Sequence, residues 1–137
     1  MPRIRRSIMK SEKHIEEFEK TLSQIEALHD EISIISKKAP NDLLNKYKVG
    51  LVNTIISRAN KLLRSDLLPF SDFKAFDVDE LPSNSDVVVM LKQYMACLEK
   101  ERENSIKVNF GDWYWVINGK ETTLKTYPPK KLGKEKL

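Results

Sequence analysis

SEKHIEEFEKTLSQIEALHDEISIISKK, residues 11–38, decides the architecture. Ile15, Phe18, Leu22, Ile25, His29 and Ile32 recur at 3-4-3-4-3 spacing, the seam of a coiled-coil-like helix, and Leu28 and Ile35 widen it. Ser11 is placed to cap the start, and Glu12 favours the positive end of the helix dipole. Lys37 and Lys38 suit the other end, and Pro40 stops the helix from continuing. Such a helix is ~42 Å long at 1.5 Å per residue.

Working outward from it, Asn41 or Asp42 is expected to cap a second helix reaching about Arg64. Its apolar positions, from Leu43 and Leu44 through Tyr47, Leu51 and Val52 to Leu62 and Leu63, cover more than half the circumference. That width predicts more than one neighbour. Gly50 lies in mid-helix, at a cost of about 1 kcal/mol relative to Ala, which a close helix crossing would offset. Residues 66–86 break the pattern, with six acids against one lysine and with Phe70, Phe73 and Phe76 three apart. This segment reads as a loop with a short helical turn, pressed onto the bundle by its aromatics, or as an acidic-aromatic docking segment. Ser83 and Asp86 form a capping-box-like pair before a third helix, about Asp86 to Asn104, with Val88, Leu91, Met95 and Leu98 as its stripe.

After Ser105 the period falls from 3.6 to 2. Ile106, Val108 and Phe110 alternate with polar residues, Gly111-Asp112 turns the chain, and Asn118-Gly119 is the strongest short hairpin signal. A two-residue turn there pairs Ile117 with Lys120, Trp115 with Thr122 and Trp113 with Leu124, and on the other face Tyr114 with Thr123 and Val116 with Glu121. Trp113, Trp115 and Ile117 then share a face that must pack on helices or on another chain. The expected fold is mainly α: a three-helix antiparallel bundle with a C-terminal β-hairpin or meander. One domain, residues 11–127 with its hairpin at about 106–127, lies between a basic arm (1–10) and a basic, proline-started tail (128–137).

Composition narrows the function. The 137-residue chain has net charge +4, but the charge is segregated. Residues 1–10 carry Arg3, Arg5, Arg6 and Lys10 without an acid, and residues 125–137 carry five lysines against Glu135. Each end is therefore +4 and residues 11–124 are −4. Two basic ends on an acidic body fit arms rather than one broad nucleic-acid face. The longest strictly apolar runs, Val87 to Leu91 and Trp113 to Ile117, fall far short of the ~20 residues of a membrane span. No secretory h-region follows the first residues. Cys97 has no partner for an internal disulfide. A cytoplasmic protein without a membrane segment is the expectation.

No catalytic apparatus is legible. His14, His29 and Cys97 are not at ligand spacing, so neither metal nor cofactor is expected. His29 reads as a register-setting polar seam residue and Cys97 as a core or boundary residue. A paired-acid magnesium motif E-E-x-x-E would need an acid where Lys20 follows Glu16-Glu17, and no glycine-rich phosphate loop exists. The favoured expectation is a non-enzymatic, oligomerising helical adaptor or accessory subunit of a larger intracellular assembly. Its candidate protein interface is Ile15, Phe18, Leu22, Ile25, Ile32, Phe70, Phe73, Phe76, Trp113 and Trp115. The third helix, ~28 Å long, is too short to cover the first helix's seam, so a second copy or a partner should. The alternative is nucleic-acid binding through Arg3, Arg5, Arg6, Lys10, Lys130, Lys131, Lys134 and Lys136, with hairpin aromatics stacking on bases. A small helical enzyme whose residues meet only in space ranks third.

Overall fold

The computed structural model describes residues 9–130. In chain order these form α1 (Glu12–Lys38), α2 (Lys46–Leu62), a 3-10 turn (Ser65–Leu67), α3 (Asn84–Glu103), β1 (Ile106–Asn109), β2 (Asp112–Ile117) and β3 (Lys120–Thr126). Ser11 caps α1 as expected, its Oγ accepting the His14 N–H at 3.1 Å. Among the described residues no helix is long and apolar enough to cross a membrane.

The entry to α2 differs from the expectation. Asn45 is the cap, its Oδ1 accepting the Lys48 N–H at 2.8 Å, rather than Asn41 or Asp42. Residues 43–44 are drawn into an extended pairing instead. Leu43 bridges Ser83, and the Leu44 N–H donates to the Pro82 carbonyl at 2.9 Å. Ser83 does cap α3, accepting the Asp86 N–H at 3.2 Å.

The same corner sets the direction of α3. Asn84 donates from its side chain to the Ala39 carbonyl and from its backbone to the Asp42 carbonyl, each at 2.8 Å. Further along, the Tyr94 hydroxyl donates to Asn60 at 2.6 Å. So α3 starts where α2 starts and runs beside it in the same direction, antiparallel to α1. The parallel pair is α2 and α3, because the long segment 63–83 returns the chain to the α1–α2 corner before α3 begins. That segment is held by Asn53, whose amide accepts the Phe76 N–H at 2.8 Å and donates to the Phe76 carbonyl at 2.9 Å. Phe73 and Phe76 meet edge to face at 5.0 Å and pack on the core, whereas Phe70 is exposed.

The meander has strand order β1-β2-β3. Its first turn is Phe110-Gly111, both at positive φ (53° and 84°), and Asp112 belongs to β2, opposite Asn109. The expected Gly111-Asp112 turn is thus one residue too late. A two-residue hairpin turn of this hand needs positive φ at both positions, and here Phe110 supplies the first. At Asn118-Gly119 the expectation meets the structure, with φ 51° and 80°. Ile117 pairs with Lys120 and Val116 with Glu121, but past a bulge Tyr114 pairs with Lys125 and Trp113 with Thr126. The expected partners, Thr123 and Leu124, are two residues off. Thr122 causes the irregularity locally, its hydroxyl donating to the Trp115 carbonyl at 2.7 Å and accepting the Leu124 N–H at 3.1 Å. A slip of two keeps every side chain on its expected face, where a slip of one would have inverted the strand.

Trp115 is 1% exposed, stands edge-on to Phe18 at 5.9 Å, and donates its indole N–H to Glu19 at 3.0 Å. Trp113, Ile117 and Leu124 pack against the same core. The meander therefore covers the N-terminal half of α1.

Both ends of the described chain are tied to this body. Met9, assigned to the basic arm from sequence, is buried, and its carbonyl accepts the Asn118 N–H at 3.0 Å. At the other end residues 126–130 lie over a buried ion pair, Arg102–Glu99 at 2.8 Å. The Arg102 guanidinium also donates to the Thr126 hydroxyl and to the Tyr127 and Pro128 carbonyls at 2.7–2.9 Å, and it stacks 3.8 Å from the Tyr127 ring centroid. Buried charges are tolerated where every lone pair and proton is used in this way.

Candidate docking face

The expected interface residues divide sharply. Ile15, Phe18, Leu22, Ile25 and Ile32 are at most 3% exposed within the single chain, and Trp115 is equally enclosed. The surplus of seam anticipated on α1 is absent, because the meander lies where a second copy was expected. Phe73, Phe76 and Trp113 are partly buried against the same core. Of the ten, only Phe70 offers a substantially exposed apolar side chain, at 45%.

Of the expected phosphate contacts, Lys10 and Lys130 fall within the described residues. Arg3, Arg5, Arg6, Lys131, Lys134 and Lys136 lie outside the described residues. Lys10 is exposed, and its backbone N–H donates to His14 Nδ1 at 3.2 Å. Lys130 is engaged at both ends. Its N–H donates to Glu99 at 2.8 Å and its ammonium to Glu26 at 3.0 Å, beside a cleft of about 390 Å³ between α1 and the C-terminal segment. Burial works against that charge, but the Glu26 hydrogen bond and the fields of Tyr127, Glu26 and Glu99 outweigh it and raise the pKa. Tyr114 is half-buried on the outer face of the sheet. His29 is half-buried beside Asp30, and burial pushes the Cys97 thiol up, so less of it is the reactive thiolate near neutral pH. Among the described residues no group of three or more His, Cys, Asp or Glu side chains could hold a metal ion.

What the sequence reading passed over is the outward face of α2. Tyr47, Leu51, Thr54, Arg58 and Lys61 follow a 4-3-4-3 spacing, which puts them on one stripe of the helix, and all five are exposed. Tyr47 is 75% and Leu51 40% exposed, and Leu43, just before the helix, is 63% exposed. The Thr54 hydroxyl turns back onto the Gly50 carbonyl at 3.0 Å, which leaves its methyl as the outward group. Beside the stripe sits Gly50, where an added Cβ would meet nothing within 4 Å. Its lack of a side chain thus serves no crossing inside the chain.

Toward the C-terminal half this stripe turns basic. Glu17, Lys20 and Thr21 of α1 and Arg58, Lys61 and Leu62 of α2 line a cleft of about 310 Å³. Arg58 is held in place by Gln24, to whose carbonyl oxygen it donates at 2.9 Å. Between Leu43 and Ser65 the chain carries Lys46, Lys48, Arg58, Lys61 and Arg64 and no acid. The stripe is therefore apolar at Tyr47 and Leu51 and cationic at Arg58 and Lys61, with Lys46 and Lys48 flanking its apolar end. A sequence signal for it did exist: α2's apolar positions exceeded what one neighbour could cover. No family model, curated protein or solved structure matches the chain.

Proposed function

We propose that the protein is a non-enzymatic helical adaptor, or accessory subunit, of a cytoplasmic assembly, and that it docks a helix of another protein on the outward face of α2. The observation that carries this reading is the exposed Tyr47–Leu51 stripe, with Leu43 beside it. Exposed apolar residues repeated at helical spacing with an open glycine beside them are the counterpart of a helix-in-groove anchor set. A second copy is a poorer occupant. The α1 seam is filled from within the chain, and pairing α2 with its own copy would set one acid-free helix against another.

Direct nucleic-acid binding is the second reading, favoured by the Lys20, Arg58 and Lys61 side chains around the 310 Å³ cleft. The deciding experiment places a photo-crosslinking residue at position 47 or 51, with position 123 on the meander as control. Protein adducts at 47 and 51, absent at 123 and lost with Gly50→Leu, support the adaptor. Adducts to nucleic acid, or no adduct selective for the α2 positions, would overturn it.

A further inference from the structure

Resting on that reading, we infer that the segment docked on α2 is an acidic amphipathic helix, lying antiparallel to α2 with its acids in its N-terminal turns. Charge decides the class. The receiving helix has four cations and no acid within Lys46–Leu62, and Lys20 of α1 adds a fifth at the cleft. Glu17 is the one acid lining that cleft, so a basic partner would meet repulsion and an acidic one attraction.

The order of chemistry along the stripe sets the orientation. On the Tyr47–Lys61 stripe itself the apolar side chains come first and the cations Arg58 and Lys61 last, with Lys46 and Lys48 flanking its apolar end. The partner therefore needs apolar anchors at one end and carboxylates at the other. Acids are most favourable in the first turns of a helix, where they also meet its positive dipole end. A partner running antiparallel places those turns over Arg58 and Lys61 and brings its later, apolar turns over Leu51 and Tyr47. Gly50 lies between the two halves. With no atom within 4 Å of where its Cβ would stand, it is the point where two helix backbones can approach most closely. Arg58, already oriented by Gln24, needs little further ordering to meet a carboxylate.

The test uses the full chain and three synthetic helical peptides of equal length, followed by fluorescence anisotropy. The first carries Glu in its first two turns and Leu at 4-3 spacing in its later turns. In the second each Glu is replaced by Lys. The third has the acidic and apolar halves exchanged. The first is expected to bind at least about tenfold more tightly than the other two, a difference of about 1.4 kcal/mol. Arg58→Glu with Lys61→Glu should remove that preference, and Gly50→Leu should weaken the first peptide about tenfold while circular dichroism stays unchanged. Because all three positions lie on or beside an exposed face, loss of fold is separable from loss of binding. Equal binding of the three peptides, or none of any, overturns the acidic-helix assignment. If protein adducts at positions 47 and 51 persist in that case, the docking face stands with a different occupant. If those adducts also fail, the adaptor reading falls with it.

Discussion

Replacing Trp115 by Ala should remove a large part of the protein's stability. Truncating a buried aromatic costs about 3–5 kcal/mol, and this indole is 1% exposed. Its edge-on contact with Phe18, at 5.9 Å and 75°, belongs to a class that contributes ~0.5–1.5 kcal/mol beyond area. The indole bond to Glu19 adds less than its 3.0 Å length suggests. Glu19 is exposed, so its carboxylate returns to water when the partner is gone. A loss of about 4 kcal/mol follows, against a total of roughly 5–15 for a domain. With a urea m-value near 2 kcal/mol/M, the midpoint should fall by about 2 M. Tyr114→Ala, one residue away on the opposite face, should move it by less than about 0.5 M on the same scale. Equilibrium urea unfolding followed by far-ultraviolet circular dichroism measures both. A Trp115→Ala midpoint within about 0.5 M of the parent at unchanged m-value would refute the claim that the meander completes the core over α1.

Gly50→Ala should raise stability by about 0.4–1 kcal/mol, since helix propensity improves and nothing lies where the methyl would go; a lower melting temperature would contradict this. Arg102→Met should cost about 3–5 kcal/mol by stranding Glu99 in the interior, and limited proteolysis should then cut near residues 126–130 faster than in the parent. His14 is held below its ordinary value of 6.5, chiefly by burial, with Lys10 adding to the effect and Glu17 opposing it. The stability contributed by its neutral ring is therefore intact above pH 6.5 and is lost as pH falls below that, through the lowered folded value. His14→Gln should flatten the fall in melting temperature between pH 7.5 and 5.5, and an unchanged slope would exclude His14 as its source.

Local chemistry was legible in the sequence where neighbours along the chain decide the outcome. The α1 seam, the Ser11 and Ser83 caps, the Asn118-Gly119 turn and the alternation of Trp113, Tyr114 and Trp115 follow from side-chain period and turn stereochemistry. Distant partners changed the rest. Asn45 displaced Asn41 and Asp42 as the α2 cap because residues 43–44 pair with 82–83, forty positions away in sequence. The hairpin register slipped because one threonine hydroxyl competes with the ladder at Trp115. The enclosure of most of the expected interface residues has a related reason. Periodicity identifies an apolar stripe but not what covers it, so the α1 seam, which the chain fills itself, and the α2 face, which it leaves open, looked alike.

The closing contacts of the fold also set an order of events. Trp115 reaches Glu19 across 96 residues, and Lys130 reaches Glu26 across 104. Coverage of Phe18 and Leu22 on α1 therefore waits for segments that lie 96 and 104 positions further along the chain. Contacts of such span slow folding well below the rate usual for small helical proteins, and an apolar seam left open meanwhile invites aggregation. A chain ending before Tyr127 would lack the carbonyls that Arg102 binds. The buried Arg102–Glu99 pair is thereby made to depend on residues 127–128, and chains cut before them should be the ones that proteases find first.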